Sequence, residues 1–134
     1  MTPGEFVARV AEWVAVFNRG SLDLPDGILH KDAVFRLNGT AYEDTLGRPP
    51  SDPLVRLVAR GPGGYRLLVK ALQYTLTTPE IALRNFEVRH GLATGHVDLS
   101  GTLRDSGERF VSNADVAMTV DVDGQVTELA IQMD

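Results

Sequence analysis

The chain has 134 residues, and its 43% hydrophobic and 23% charged residues are proportions of a folded globular domain rather than of a disordered chain. Its net charge of −5 disfavours nucleic acid and anionic membranes as partners, because both are recognised by a basic surface. The absence of cysteine excludes disulfides, thiolate catalysis and cysteine-ligated metals.

Neither a membrane span nor a leader is predicted. There is no run of about 18 apolar residues, and the first residues lack the basic start and apolar core of a signal peptide. We therefore expect a single cytoplasmic domain over residues 1–134 that has no contact with a membrane.

The first segment predicts an amphipathic helix. Thr2 is a suitable N-cap, Pro3 suits the first helical position, and Glu5 completes a capping pattern. Gly20 is placed to end the helix after Asn18 and Arg19. The apolar residues recur at three- and four-residue steps, which indicates one buried face: Phe6, Val10, Trp13, Val14 and Phe17.

The middle of the chain predicts short elements separated by loops. After a helical turn over residues 25–29, residues 33–37 read as a strand, and the pair Asn38-Gly39 as a turn. Residues 40–46 are expected to return as a second strand, and residues 47–53 to form a loop.

Two further helices are predicted before the chain becomes β-rich. The first covers residues 54–59, started by Asp52 and Pro53, and the second covers residues 65–76. The glycine-rich run over residues 61–64 is expected to interrupt helical structure between them.

Four long β-rich runs follow, over residues 81–90, 92–103, 108–122 and 125–133. The joints between them are short and hairpin-compatible, which predicts an antiparallel meander. Helices followed by a run of strands indicate an α+β fold rather than a parallel βαβ sheet.

This order of elements resembles the nuclear transport factor 2-like superfamily. The resemblance is carried by residues 13–20, by residues 31–35, and by residues 114–118 followed by the Asp-Gly turn in residues 123–126. It implies a cone in which a curved antiparallel sheet wraps around the N-terminal helices and leaves an internal pocket. Because this fold hosts both enzymes and binding proteins, it does not fix the activity.

Two enzyme families of this superfamily can be compared with the chain. Ketosteroid isomerase-like members carry an aspartate that acts as the base on the first strand, where this chain has Leu37 or Asn38, and a phenol on the first helix, where it has Trp13. Neither Leu37 nor Asn38 can abstract a proton, and an indole cannot act as an acid, so these differences argue against this first family. SnoaL-like polyketide cyclases place a histidine after a glycine on a middle strand and an aspartate at the head of the next. His96 and Asp115 match that second pattern, which implies that both are catalytic.

The resemblance implies cofactor-independent cyclisation, isomerisation or a lyase-type reaction on a small hydrophobic substrate such as a polyketide. Asp115 would be the base, with a pKa raised by an apolar pocket, and His96 would donate or relay the proton. Tyr74 is a further possible donor. The residues expected to line or orient the substrate are Trp13, Phe17, Phe35, Leu37, Asn38, Tyr42, Tyr65, Phe86, Asn113 and Met133.

The face that Asp115 and His96 occupy stays open at this stage. If Ala114 and Val116 point inward, strand alternation turns Asp115 toward solvent. In the same way, an inward Val97 would turn its neighbour His96 toward solvent. A non-catalytic binding module is therefore the alternative function. Apolar residues on both faces of the last strands predict a homodimer, and three scattered histidines predict no metal site.

Overall fold

The computed structural model of the chain describes residues 2–47 and 51–133. Among these residues, no helix is long and apolar enough to cross a membrane. The helices are α1 (Pro3–Asn18), α2 (Pro53–Ala59) and α3 (Gly61–Thr75), with a short 3-10 helix at Tyr42–Thr45. The strands are β1 (Leu29–Leu37), β2 (Thr40–Ala41), β3 (Leu76–Arg89), β4 (Leu92–Leu103), β5 (Arg109–Val120) and β6 (Val126–Met133).

Helix α1 forms as its capping and apolar pattern predict. The Thr2 hydroxyl accepts a hydrogen bond from the Glu5 amide at 3.1 Å, and Phe6, Val10, Trp13 and Phe17 are buried. At its other end, the Asn18 side chain donates to the Ile81 carbonyl at 3.0 Å and accepts from the Ile81 amide at 2.8 Å. Asn18 therefore ties the end of α1 to strand β3.

The strands form one mixed sheet in the order β2-β1-β6-β5-β4-β3. The meander of β3, β4, β5 and β6 is antiparallel, which confirms that prediction. Strand β1 pairs with β6 in parallel, so the last strand lies inside the sheet rather than at its edge. The chain is thus an α+β protein with an open, curved sheet, as expected.

Helices α1 and α3 pack on one face of this sheet and form the core with it. Trp13 of α1 meets Tyr65 of α3 edge-to-face, with ring centroids 5.3 Å apart, and Phe6 stacks on Phe86 at 6.4 Å. Strand β3 carries two register shifts, near Thr78 and Asn85, both of which adopt positive φ. Bulges of this kind bend a strand, so they curve this part of the sheet around the helices.

The glycine-rich run over residues 61–64 was expected to break a helix, and that prediction is wrong. It forms the first turn of α3, where Pro62 loses no helical hydrogen bond. The break falls one residue earlier, at the extended Arg60. The glycines serve close packing, because a Cβ on Gly64 would lie 2.6 Å from the carbonyl oxygen of Ala59.

Three other boundaries differ from expectation. Residues 25–29 form only a turn, closed by the Ile28 amide donating to the Pro25 carbonyl, and β1 begins at Leu29. The strand expected over residues 40–46 stops after two residues and gives way to the 3-10 helix. Strand β3 begins at Leu76, so it includes the residues before 81. Part of the predicted loop, residues 48–50, lies outside the described residues.

Candidate functional site

The two faces of the sheet differ sharply in chemistry. Val116 and Met118 of β5 are buried in the core, so alternation places the even-numbered residues of β5 inward. Strand register extends this inner face into a row across four strands: Leu83, Val97, Ala114 and Met133. Inward positions of β4 and β5 carry only apolar side chains, glycines and Ser112. The inner face of these two strands therefore carries no charged side chain.

His96 and Asp115 are cross-strand partners, as the sequence predicts. His96 Nδ1 lies 2.5 Å from Asp115 Oδ1, and the two residues stand directly opposite each other on β4 and β5. Their side chains are 50% and 59% exposed. The expected apolar setting inside the cone is wrong, because Ala114 and Val116 occupy the inward positions on either side of Asp115. The pair lies on the outer face.

The outer face holds a groove around this pair. Its volume is about 470 Å³, and its polar lining consists of Arg36, Asn85, Thr94, His96, Asp115 and Gln132. Arg36 donates to Glu128 at 2.6 Å, and Arg84 donates to Asp98 at 2.7 Å. These hydrogen bonds raise the pKa of both arginines, so their charges persist and are matched by carboxylates.

The aromatic residues expected to line a pocket are either buried in the hydrophobic core or partly buried at its margin. Trp13, Phe17, Phe35 and Tyr65 are buried in the hydrophobic core. Tyr42 and Phe86 are partly buried and pack against it. These six residues lie on the helix-covered side of the sheet, and their contact with a substrate stays a prediction.

The remaining residues that were predicted to contact the substrate lie at strand ends or are exposed to solvent. Leu37 is half-buried at the end of β1, and Met133 is 44% exposed. Asn38 lies in the turn after β1, where its side-chain oxygen accepts from the Met133 amide at 2.8 Å. Asn113 is exposed on the outer face and Tyr74 is 85% exposed, so the expected role of each inside the cone is wrong.

Sequence reasoning missed part of the inner lining. Half-buried hydrophobic residues from α3, β3 and β4 pack against the core: Leu68, Leu72, Ile81, Leu83 and Val97. The signal was present, since Leu68 and Leu72 share a helical face and Leu83 and Val97 alternate with exposed residues. These side chains are therefore partly exposed at the margin of the core.

The hydroxyl of Tyr65 is a buried polar group without a hydrogen-bond partner among the described residues. Tyr65 is 7% exposed, and burial raises the pKa of its phenol. A side-chain interaction with the Trp13 indole opposes that rise. Tyr65 is therefore neutral at physiological pH and has a proton to donate.

A buried ion pair that the sequence did not predict closes one end of the core. Glu43 is 8% exposed and accepts two hydrogen bonds from Arg60, at 2.6 Å and 2.9 Å. The side-chain hydrogen bond to Glu43 raises the pKa of Arg60, so the guanidinium stays charged. The pair joins the 3-10 helix to the junction of α2 and α3, and this is a structural role.

Two further observations concern a second cavity and the residues that could bind a metal ion. A second cavity of about 440 Å³ lies between residues 23–29 and the first turns of α3, at Pro62 and Arg66, and contains none of the predicted site residues. Across residues 2–47 and 51–133, histidines and acidic residues form no group of three that could hold a metal ion.

Comparison with solved structures identifies the architecture. An NTF2-like (nuclear transport factor 2-like) protein of unknown function from an Exiguobacterium species superposes with a TM-score of 0.68 at 12% identity, over 94% of this chain and 98% of its own. The chain has the NTF2-like fold. The resemblance recognised in the sequence is therefore confirmed. No protein-family model and no curated protein matches the sequence of this chain.

Other NTF2-like neighbours have assigned activities or bound molecules. IdmH from Streptomyces antibioticus, a proposed polyketide cyclase, has a TM-score of 0.71 at 20% identity, over 100% of this chain and 93% of its own. TerC, co-crystallised with polyporic acid, has a TM-score of 0.71 at 14% identity, over 99% and 92%. At these identities the similarity establishes the fold and leaves the activity to be argued from the site.

Proposed function

We propose that this chain binds a small hydrophobic molecule on the helix-covered, inner face of its sheet. The observation that supports this is the continuous apolar lining of half-buried side chains on α3, β3 and β4, with no charged residue at the inward positions of β4 and β5. Ligand sites of this kind are mainly apolar with a few polar groups that set orientation. Tyr65 is such a group.

The reaction class that fits this site is ring closure or isomerisation of the bound molecule. A binding site that holds a flexible molecule in a folded conformation lowers the entropic part of the barrier to its cyclisation. Tyr65 would polarise a carbonyl by hydrogen bonding. The NTF2-like neighbours that include a proposed polyketide cyclase are compatible with this reaction.

The binding proposal is tested by placing a bulky side chain on the inner face of strand β4. In the variant Val97→Trp, we expect the affinity for the neutral hydrophobic dye Nile red to fall by tenfold or more, because the indole occupies the half-buried space next to Leu83. Dye fluorescence titration measures the affinity.

The matched control is Ala82→Trp, which places the same indole on β3 at an exposed position, opposite Asp98 on the outer face. Its affinity for Nile red should equal that of the unmodified chain. Absence of dye binding to the unmodified chain, or equal losses in the two variants, would contradict binding on the inner face.

A second candidate function is acid–base catalysis in the outer groove, favoured by the 2.5 Å contact between His96 and Asp115. With Nδ1–H donating to the carboxylate, the neutral imidazole keeps a lone pair on Nε2 that can accept a proton. This arrangement keeps both residues in the mechanism, but it makes His96 the base instead of Asp115, and it requires the substrate to lie on the outer face.

Asp115→Asn tests this second candidate with little change of shape. If the pair is catalytic, cyclisation of a linear polyketide-like thioester should slow by about a hundredfold or more. The control is Asp98→Asn, which removes a neighbouring outer-face carboxylate held by Arg84 and should leave turnover unchanged. Unchanged turnover in Asp115→Asn would remove the pair from the mechanism and leave the inner face as the site.

We also retain three sequence predictions as proposals. The chain is a homodimer, it acts without a cofactor, and it is cytoplasmic. Ala117 lies directly opposite Ala130 on the outer face, and such small side chains leave room for the close approach of a second copy.

A further inference from the structure

The two edges of the sheet differ in length. One edge is β2, which has two residues, and the other is β3, which has 14. A long edge strand presents backbone N–H and C=O groups that can pair with another chain, and folded proteins protect such an edge by bulges, charges or a covering segment. The edge of β3 is therefore the part of this sheet that needs protection.

Register shifts limit the part of β3 that could pair with another strand. They fall between Thr77 and Glu80 and between Arg84 and Glu87. A bulge interrupts the regular spacing of the backbone groups, so it disfavours edge pairing where it occurs. The regular stretch between the two shifts covers residues 80–84, which pair with β4 without interruption.

A side chain of helix α1 occupies the edge within this stretch. Asn18 Oδ1 accepts from the Ile81 amide at 2.8 Å, and Asn18 Nδ2 donates to the Ile81 carbonyl at 3.0 Å. These two contacts reproduce the pair of hydrogen bonds that a residue of a neighbouring antiparallel strand would make. The backbone groups of Ile81 therefore point away from β4, and strand alternation turns those of Leu83 the same way.

The stability of the fold does not by itself require asparagine at this position. Asn18 is exposed, and water could hydrogen-bond to the Ile81 groups in its place at little cost in free energy. Asparagine also favours a helix less than alanine does. What water cannot do is keep another strand away from Ile81, and this is the effect that the Asn18 side chain adds.

The regular stretch of the β3 edge is complementary to itself. If two copies met antiparallel about Ala82, Ile81 of each copy would lie opposite Leu83 of the other, and their outward backbone groups would pair. On the outer face, Glu80 of each copy would stand opposite Arg84 of the other, so opposite charges would meet at both ends of the stretch. The partner that this edge fits is therefore a second copy of the chain.

We infer that the β3 edge is a strand-pairing surface for a second copy of this chain and that Asn18 keeps it closed. A second copy would have to displace Asn18 from Ile81 before the two edges could pair. This surface is separate from the outer face of β5 and β6, where we place the homodimer. The inference does not depend on ligand binding at the inner face.

The test uses disulfide cross-linking, because the chain contains no cysteine of its own. Ala82 is exposed and would lie opposite its own copy, so Ala82→Cys places two thiols face to face across the paired edges. In oxidised glutathione, we expect the disulfide-linked dimer to form about tenfold faster when Asn18→Ala is added to Ala82→Cys, since about one net hydrogen bond no longer competes with pairing. Non-reducing gel electrophoresis measures the rate.

Val122→Cys is the matched control for random collision. Val122 is 96% exposed in the turn between β5 and β6, neither of which lies at this edge. Its cross-linking rate should not respond to Asn18→Ala. Thermal unfolding checks that Asn18→Ala is folded, and Asn18→Ser provides a second variant, because its shorter side chain cannot reach both groups of Ile81.

Charge reversal tests the antiparallel orientation. Adding Glu80→Arg to the chain with Asn18→Ala and Ala82→Cys sets an arginine opposite Arg84 of the other copy, so cross-linking should slow toward the rate of Ala82→Cys alone. Equal rates with and without the substitutions of Asn18 would overturn its role. A rate that ignores Glu80→Arg would overturn the pairing about Ala82. Both outcomes leave the proposed function intact.

Discussion

Replacing Gly61 by alanine is expected to lower the free energy of unfolding by about 4 kcal/mol or more, a loss in the range reserved for severe backbone and packing defects. Gly61 adopts a φ of +61°, and a Cβ there would lie 2.8 Å from the carbonyl carbon of Lys31 and overlap its oxygen. Both colliding atoms belong to backbone, so neither can rotate away. Urea-induced unfolding followed by circular dichroism measures the change.

Gly4→Ala is the matched control for this substitution. Gly4 also lies in the first turn of a helix, but a Cβ there meets nothing within 4 Å. This variant should be as stable as the unmodified chain or gain up to about 1 kcal/mol, because alanine favours the helix. If Gly61→Ala behaved like Gly4→Ala, the close approach of α3 to the β1 backbone would be wrong.

Arg60→Ala should lower the free energy of unfolding by about 3 kcal/mol, because it removes two hydrogen bonds that the buried Glu43 carboxylate accepts. The Glu43 side chain is 10% exposed, so water cannot replace the two lost hydrogen bonds. The same denaturation experiment measures this loss. Arg60→Ala with Glu43→Gln should recover part of it, since no buried charge then remains.

Arg36→Ala provides a control with the same chemistry at the surface. Arg36 Nε lies 2.6 Å from Glu128, as Arg60 Nε does from Glu43, but these side chains are 44% and 37% exposed. Solvent screens such pairs, so the loss should be much smaller than for Arg60→Ala. A loss at Arg36 equal to that at Arg60 would show that burial does not set the strength of these pairs.

The fold could be read from the sequence where local patterns were strong and unambiguous. The capped apolar stripe of α1 and the short turns of the four-strand meander gave these elements correctly. Prediction failed where tertiary contacts override propensity. Residues 61–64 begin a helix because glycine allows α3 to lie against the β1 backbone, and that neighbour is distant in the sequence.

The sequence predicts which residues of the candidate site lie opposite each other, but it does not predict which face of the sheet they occupy. Turn lengths fixed the register that brings His96 opposite Asp115. Alternation has two solutions, however, and small apolar residues on both sides of Asp115 fit either one. The choice depends on which face the helices cover, a global property. The unpaired state of the Tyr65 hydroxyl depends on three-dimensional packing and has no signature in the sequence.

The parallel pairing of β1 with β6 has a consequence for the order of assembly. The contact between Arg36 and Glu128 spans 92 residues, and it joins the first strand of the sheet to the strand that comes last in chain order. During translation, the β1–β2 hairpin and the β3–β5 sheet would emerge as separate pieces with an unsatisfied edge between them. The nascent chain therefore depends on a late, long-range closure, a topology associated with slow folding and with a period of exposure to chaperones.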